Sequence, residues 1–178
     1  MKALVVSDVH RNTQPLLTVL NKLQGSGQTL DLSFFLGDGY ELAVPLLSRR
    51  TPLCHAVSGN CDDYGGEDTM IVKVEGMRVL LAHGHRQQVK FGYQRLVYTA
   101  LEQEAQICLF GHTHLPALFY EQGILFMNPG SIGHPRLGEQ PSFGMIEWIG
   151  QSPQSPRGAH PTLAELDGET IRVLQPHN

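Results

Sequence analysis

Apolar residues along this chain gather into short continuous runs, at residues 3–6, 32–36, 53–57, 79–82 and 107–110. A strand buried on both faces loses its period-two alternation and becomes such a run, as in parallel sheets covered by helices. Between the runs the period changes. Leu16, Val19, Leu20 and Leu23 recur at i, i+3, i+4 and i+7, with Asn12 or Thr13 as N-cap and Pro15 in the first turn, which predicts a helix. Tyr93, Leu96, Val97, Ala100 and Leu101 predict another, and residues 41–48 a shorter one. Later, residues 71–74 and 78–82 flank Glu75-Gly76-Met77, and residues 117–121 and 124–127 flank Gln122-Gly123, two hairpins with Gly at the tight position. Residues 143–148 and 170–174 add two strands, while residues 150–161, rich in Gly, Pro, Ser and Gln, have the composition of a flexible loop. The expectation is an α/β (α+β) protein with two mixed sheets and helices outside, forming one domain over residues 1–178.

Length and composition support that reading without adding chemistry. A chain of 178 residues with 41% hydrophobic residues suits one core, and its patterning excludes disorder, collagen and coiled coil. The net charge of -4, with no basic cluster longer than Arg49-Arg50, argues against stable nucleic-acid binding. Cys54, Cys61 and Cys108 are odd in number and lack CxxC spacing, which speaks against disulfides and zinc knuckles and for a reducing compartment. The first apolar run is too short for a signal peptide and none approaches a membrane span, so a cytoplasmic protein with no membrane partner is expected.

Nine His against thirteen Lys and Arg change the picture. The apolar runs end in Ser7-Asp8-Val9-His10, Gly37-Asp38, Gly59-Asn60-Cys61-Asp62, His83-Gly84-His85 and Gly111-His112-Thr113-His114. Ligands of α/β sheets bind at the carboxyl ends of strands, so strands running the same way would collect these side chains on one edge. Asp8, His10, Asp38, Asn60, His83, His112 and His114 include no thiolate and no Ser beside a base. Mixed imidazole and carboxylate ligands suit Mn, Fe, Zn, Co or Ni better than Ca or Mg. Seven are too many for one ion and suit two that share a carboxylate.

In these motifs and their order, ending in Asn128-Pro129-Gly130-Ser131, the chain resembles the calcineurin-like metallophosphoesterases, in particular the small bacterial and archaeal phosphodiesterases related to the retromer subunit of the same fold. The resemblance spans nearly the whole chain. It implies a four-layer αββα sandwich. It also implies that Asp8, His10, Asp38 and His114 hold one ion, that Asp38 bridges, and that Asn60, His83 and His112 complete the second. Hydrolysis would follow in-line attack of a metal-bridging hydroxide on a small-molecule phosphoester. Two divalent ions are implied, Mn2+ favoured, with Ni2+, Co2+, Zn2+ or Fe2+ as alternatives. Many members have His after the Gly-Asn pair as the leaving group's acid, whereas this chain has Cys61. A thiol with a reference pKa of about 8.5 is a poor substitute for imidazole at about 6.5, which favours diesters or good leaving groups. Asp62 and His85 are candidate replacements, and His85 either supports a ligand or phosphate or merely shapes its turn. A phosphomonoesterase and a catalytically weak protein-binding scaffold are the rival readings. A homodimer or higher homo-oligomer is compatible with the sequence, which does not locate an interface.

Overall fold

The structure is a computed structural model that describes residues 1–63, 66–149 and 158–174. Eleven strands and three α-helices follow one another among these residues. The elements are β1 (Lys2–Val6), α1 (Gln14–Gly25), β2 (Leu32–Phe35), α2 (Tyr40–Ser48), β3 (Leu53–Ala56), β4 (Thr69–Val74) and β5 (Met77–Ala82). Then come α3 (Gln94–Glu102), β6 (Ile107–Phe110), β7 (Pro116–Glu121), β8 (Ile124–Pro129), β9 (Ser142–Trp148), β10 (Ala159–Asp167) and β11 (Thr170–Val173). One sheet has the order β11-β10-β9-β1-β2-β3 and the other β4-β5-β6-β8-β7. Both are mixed: β1, β2 and β3 are parallel, as are β5, β6 and β8, while the remaining pairs are antiparallel.

Each run of apolar residues serves two layers, which is why the runs do not alternate. In β1, Ala3 and Val5 enter the cluster between the sheets, and Leu4 and Val6 pack outward beneath α1 and α2. In β5, Val79 and Leu81 face the inter-sheet core, whereas Leu80 and Ala82 join Leu96 and Ala100 of α3. The layers are therefore helix, sheet, sheet, helix. The expected helical stripe of α1 is buried as Leu16, Val19, Leu20 and Leu23. Thr13 is its N-cap residue but makes no side-chain cap, and Asn12 instead donates to the carbonyl of Gly133. Both expected hairpins form, with Glu75-Gly76 and Gln122-Gly123 at positive φ, the conformation that matches the twist of paired strands.

One expectation needs correction. Residues 150–157 of the expected loop lie outside the described residues, but residues 159–161 begin β10, a nine-residue strand paired with β9. Pro161 disguised it, because proline lacks the N–H that a central strand needs. Leu163 turns its carbonyl toward β11, where Leu174 N–H donates to it. Pro161, two residues earlier, faces the same side, beyond the stretch of 164–167 that β11 pairs. It therefore forfeits no ladder bond there.

Candidate metal centre

The loops after β1, β2, β3, β5 and β6 meet at one edge of the sandwich, because these strands point the same way within their sheets. The loops are laced together: Asp8 N–H donates to Gly37 O at 2.9 Å, His10 N–H to Asp38 O at 2.8 Å, and Gly111 N–H to His83 O at 3.0 Å. Among the described residues nine non-glycine residues have positive φ, and five are Asp8, His10, Asp38, His112 and His114. Left-handed backbone is costly for residues with a side chain, and its concentration at predicted ligands marks a site that the surrounding packing enforces. Two glycines make room. A Cβ on Gly59 would stand 2.0 Å from Asp38 Oδ1, and one on Gly111 would stand 2.0 Å from Ser7 Oγ and 2.9 Å from Asp8 Oδ2.

Two ligand groups result, each with its ligand atoms within 4.8 Å of one another. The first is Asp8, His10 and His114. His114 Nε2 lies 3.0 Å from Asp8 Oδ1 and 3.3 Å from His10 Nε2, and His10 Nε2 is 4.0 Å from Asp8 Oδ1. The second is Asp38, His83 and His112, where His83 Nε2 lies 3.4 Å from Asp38 Oδ2 and 3.1 Å from His112 Nδ1. Asp38 Oδ2 is also 3.9 Å from His10 Nε2, so one carboxylate oxygen stands between the groups. Such separations are those of atoms around an ion about 2.0–2.2 Å from each ligand.

The hydrogen bonds outside each group fix which nitrogen faces inward. His83 Nδ1 lies 2.7 Å from Leu36 O and His114 Nδ1 lies 2.6 Å from His134 O. A carbonyl only accepts, so each Nδ1 carries the proton and, in the neutral ring, Nε2 presents a lone pair to the group. Asp8 Oδ2 accepts from Ser7 Oγ at 2.5 Å and from His112 N–H at 3.1 Å, while Oδ1 is buried without any hydrogen bond. Convergent lone pairs and an orphaned carboxylate oxygen require positive charge among them. The titration of the side chains says the same. Burial, the largest influence on His83, works against its charged form, yet the Asp38 and Asp8 carboxylates and the Leu36 carbonyl outweigh it and raise its pKa. Contact with Asp8 raises His114. For Asp38, burial acts upward, but His83 and the N–H of Cys61, 2.8 Å from Oδ1, hold the carboxyl well below the usual range. Burial lowers His10, and burial with His83 beside it lowers His112 to about 4. The donors fit divalent transition ions, and residues of the two groups would hold them.

The remaining expected residues take different places. Asn60 is exposed at the rim, its Nδ2 donating to Cys61 Sγ at 3.2 Å. Cys61 Sγ lies within 4.8 Å of ligand atoms of His10 and Asp38, and its thiol is pushed up to about 11 by partial burial and by the Asp38, Asp62 and Asp8 carboxylates. Asp62 is a clamp. Its Oδ1 accepts from Gly39 and Tyr40 N–H at 2.7 and 2.9 Å, and its Oδ2 from Asp38 and Gly59 N–H at 2.9 and 2.8 Å. Four donors occupy both oxygens, which suits holding the β2 and β3 loops and the start of α2 and leaves no natural place for a transferable proton. His85 lies tilted beside His83 and edge-on to His112, with ring centroids 5.4 and 6.2 Å away, and its Nδ1 is buried without a partner.

Several supports do not stand out in the sequence pattern. Ser131 Oγ donates to Asp8 O at 2.7 Å and accepts from His134 N–H at 2.8 Å. Asn128 Nδ2 donates to Gly111 O and Thr113 Oγ1, and its Oδ1 accepts from Gly130 N–H. The Asn-Pro-Gly-Ser stretch carried part of the family resemblance, but these bonds, reaching to Asp8 and Gly111, are long-range and give its residues a role the motif alone does not show. Arg136 donates to Thr113 O at 2.8 Å, and Lys90, whose charge helps lower His112 and opposes the upward shift of His114, had no signal at all.

Known proteins resemble this chain in sequence and in fold. The chain is 30% identical over 148 residues to the probable metallophosphoesterase YsnB of Bacillus subtilis, covering 82% of this chain and 83% of that protein. It is 31% identical over 170 residues to the phosphodiesterase YfcE of Escherichia coli, covering 83% and 88%. Its fold is similar to that of wild-type Vps29 from Entamoeba histolytica complexed with zinc, with a TM-score of 0.81 at 21% identity, covering 98% and 97%. With residues 1–149 matching the family model of the calcineurin-like phosphoesterase superfamily domain, the chain belongs to that superfamily.

Proposed function

We propose that the protein is a phosphodiesterase working with two divalent ions, manganese favoured, on a small-molecule phosphoester. The observation that carries this reading is the single oxygen, Asp38 Oδ2, standing 3.4 Å from His83 Nε2 and 3.9 Å from His10 Nε2. Bound in the two groups, the ions would supply an activated water and a positive clamp for the phosphoryl oxygens. The chain's own residues prepare this. Asp62 and Cys61 N–H set the bridging carboxylate, and the carbonyls of Leu36 and His134 hold two imidazoles in the ligating tautomer. Asn60, exposed beside Cys61, would complete the second ion's ligands and donate to a phosphoryl oxygen, and His85, whose ring adjoins His83 and His112, would support them.

Protonation of the leaving group decides the ester class. Cys61 stands where a leaving-group acid is needed, and a thiol is a poorer general acid than imidazole near neutrality, while Asp62 is committed to backbone N–H groups. Phosphodiesters and esters with acidic leaving groups should therefore react fastest. Protein stripped of metal and reloaded with Mn, Ni, Co, Zn or Mg should cleave an aryl phosphodiester faster than the matching monoester. Stoichiometric metal binding without cleavage of either ester would sink the reading in favour of a binding scaffold. Cys61→His should raise monoester cleavage, and no rise would refute the missing-acid argument.

A further inference from the structure

Beside the ligand groups lies a cavity of about 270 Å3 whose walls include Arg11, Tyr40, Glu41, Leu42, Cys61 and Asp63. It reaches the metal centre through Cys61, whose Sγ is within 4.8 Å of ligand atoms of His10 and Asp38. Arg11 follows His10 directly, Glu41 lies in the first turn of α2, and Asp63 follows the Asp62 clamp. Their side chains make no hydrogen bond or ion pair among the described residues, although all three line the same small space. Elsewhere most of the described basic side chains are engaged: Lys2 with Glu147, Lys22 with Glu169, Arg86 with Asp68, Arg172 with Glu165 and Asp167, and Arg50, Arg78 and Arg136 in hydrogen bonds.

The mixture of groups selects a ligand chemistry. A guanidinium offers only donors and a carboxylate only acceptors, while a hydroxyl is both, so one ligand rich in hydroxyls can use Arg11, Glu41 and Asp63 together. A second phosphate would gain Arg11 but face two carboxylates. The Tyr40 ring and Leu42 add an apolar wall that matches the C–H face of a polyol. The volume lies below the roughly 300 Å3 at which pockets for drug-sized ligands begin, which suits a sugar-sized fragment. We infer that this cavity receives one alcohol arm of the phosphodiester and favours a small polyol there, glycerol-like or pentose-like, over an aryl or simple alkyl group. The inference rests on the phosphodiesterase reading, because phosphorus held at the metal centre is what brings an alcohol arm beside Cys61. Arg11, Glu41 and Asp63 are then specificity residues.

The test compares glyceryl methyl phosphate with 2-methoxyethyl methyl phosphate by release of glycerol or 2-methoxyethanol, because the arm beside Cys61 is the one that leaves and these two alcohols are of similar acidity but differ in free hydroxyls. Wild type should prefer the glyceryl ester in kcat/KM by about tenfold or more, since a site built to bond hydroxyls discriminates against an analogue lacking them. Arg11→Met, Glu41→Gln and Asp63→Asn should each bring that ratio toward one. A wild-type ratio near one, or a high ratio that none of the three substitutions lowers, overturns the inference and leaves the phosphodiesterase reading intact. A second readout needs no turnover: glycerol 3-phosphate titrated into zinc-loaded protein, whose ions are diamagnetic, should shift the backbone amide resonances of Tyr40, Glu41 and Asp63, and methyl phosphate should not. If neither ester is cleaved while those amides shift, the phosphodiesterase reading fails and the polyol site stands. If neither ester is cleaved and no amide shifts, both fail.

Discussion

The two ligand groups follow one plan but rest on different foundations. Each takes a carboxylate from the end of a strand in one sheet, Asp8 after β1 or Asp38 after β2, and at least one imidazole from loops of the other: His114 in the first group, where His10 follows β1 itself, and both His83 and His112 in the second. Each contains one His whose pKa is raised beside its carboxylate, His114 or His83, and one whose pKa burial lowers, His10 or His112. Neither group can exist until the sheets have packed. The difference is what stands behind them. His83 is fully buried and its Nδ1 is fixed by the carbonyl of Leu36, a core residue directly after β2. His114 is only half-buried, and its Nδ1 is fixed by the carbonyl of His134, an exposed residue on the loop after β8. One site is built into sheet ends, and the other is finished by a surface loop that Ser131 ties to Asp8. Preorganised ligands bind with less ordering cost, so the Asp38-His83-His112 group should hold its ion more tightly.

The strongest test of this comparison removes what the groups share. Asp38→Asn should cost both sites, with a loss of activity beyond the roughly 100-fold typical of outer-shell changes, and metal analysis should show fewer than two ions per chain. Retained activity would end the two-ion reading. Next in size, His83→Ala and His114→Ala should separate the groups. Each should lower the metal content, but His83→Ala also leaves a cavity in the core and should lower Tm, whereas His114→Ala should leave the fold nearly as stable. Equal effects on metal retention and Tm would show that the foundations do not differ as argued.

How much of this was legible in the chain follows from the range of each interaction. The strands and the ligands after them were visible because a buried run and the polar turn that ends it are adjacent in sequence. Their meeting at one edge required only that the strands run parallel. The clamp role of Asp62 was hidden, because its partners Asp38, Gly39 and Tyr40 lie more than twenty residues earlier. Ser131 was hidden for the same reason, its hydrogen bond spanning from residue 131 back to residue 8. In β10 local chemistry misled outright: Pro161 breaks strands in general, and only the short reach of β11 makes it harmless here.

A smaller effect probes the loop that finishes the first group. Ser131→Ala removes the hydroxyl that joins Asp8 O to His134 N–H, and with it the positioning of the carbonyl that orients His114. The expected outcome is a roughly 10-fold weaker affinity for one ion of the two, measured by calorimetric titration, with the tighter site unchanged. Loss at the tighter site instead would mean that the supports of the two groups are coupled.

The smallest effect lies in the pH dependence of the metal-free protein. Between pH 6.5 and about 4 the unfolded chain protonates His112 while the folded protein does not, so stability falls as the pH falls through this window. His10, His55 and His85, also lowered by burial, add to that acid limb. His83 and His114 act in the opposite sense. Their folded forms keep protons that the unfolded chain releases above pH 6.5, so their stabilisation is whole below 6.5 and is lost as the pH rises through their raised values. Tm of the metal-free protein should therefore peak near pH 6.5 and fall by on the order of a few degrees on either side, since partial exposure screens each group. His112→Gln should shallow the acid limb and spare the alkaline one. Loading with metal should abolish the alkaline limb, because ligating imidazoles are neutral at any pH where the ion stays bound, and should steepen the acid limb, where protons compete with the ions for all four rings. An alkaline limb between pH 6.5 and 9, below the range where the raised thiols of Cys54, Cys61 and Cys108 act, that survives metal loading would show that His83 and His114 are not ligands.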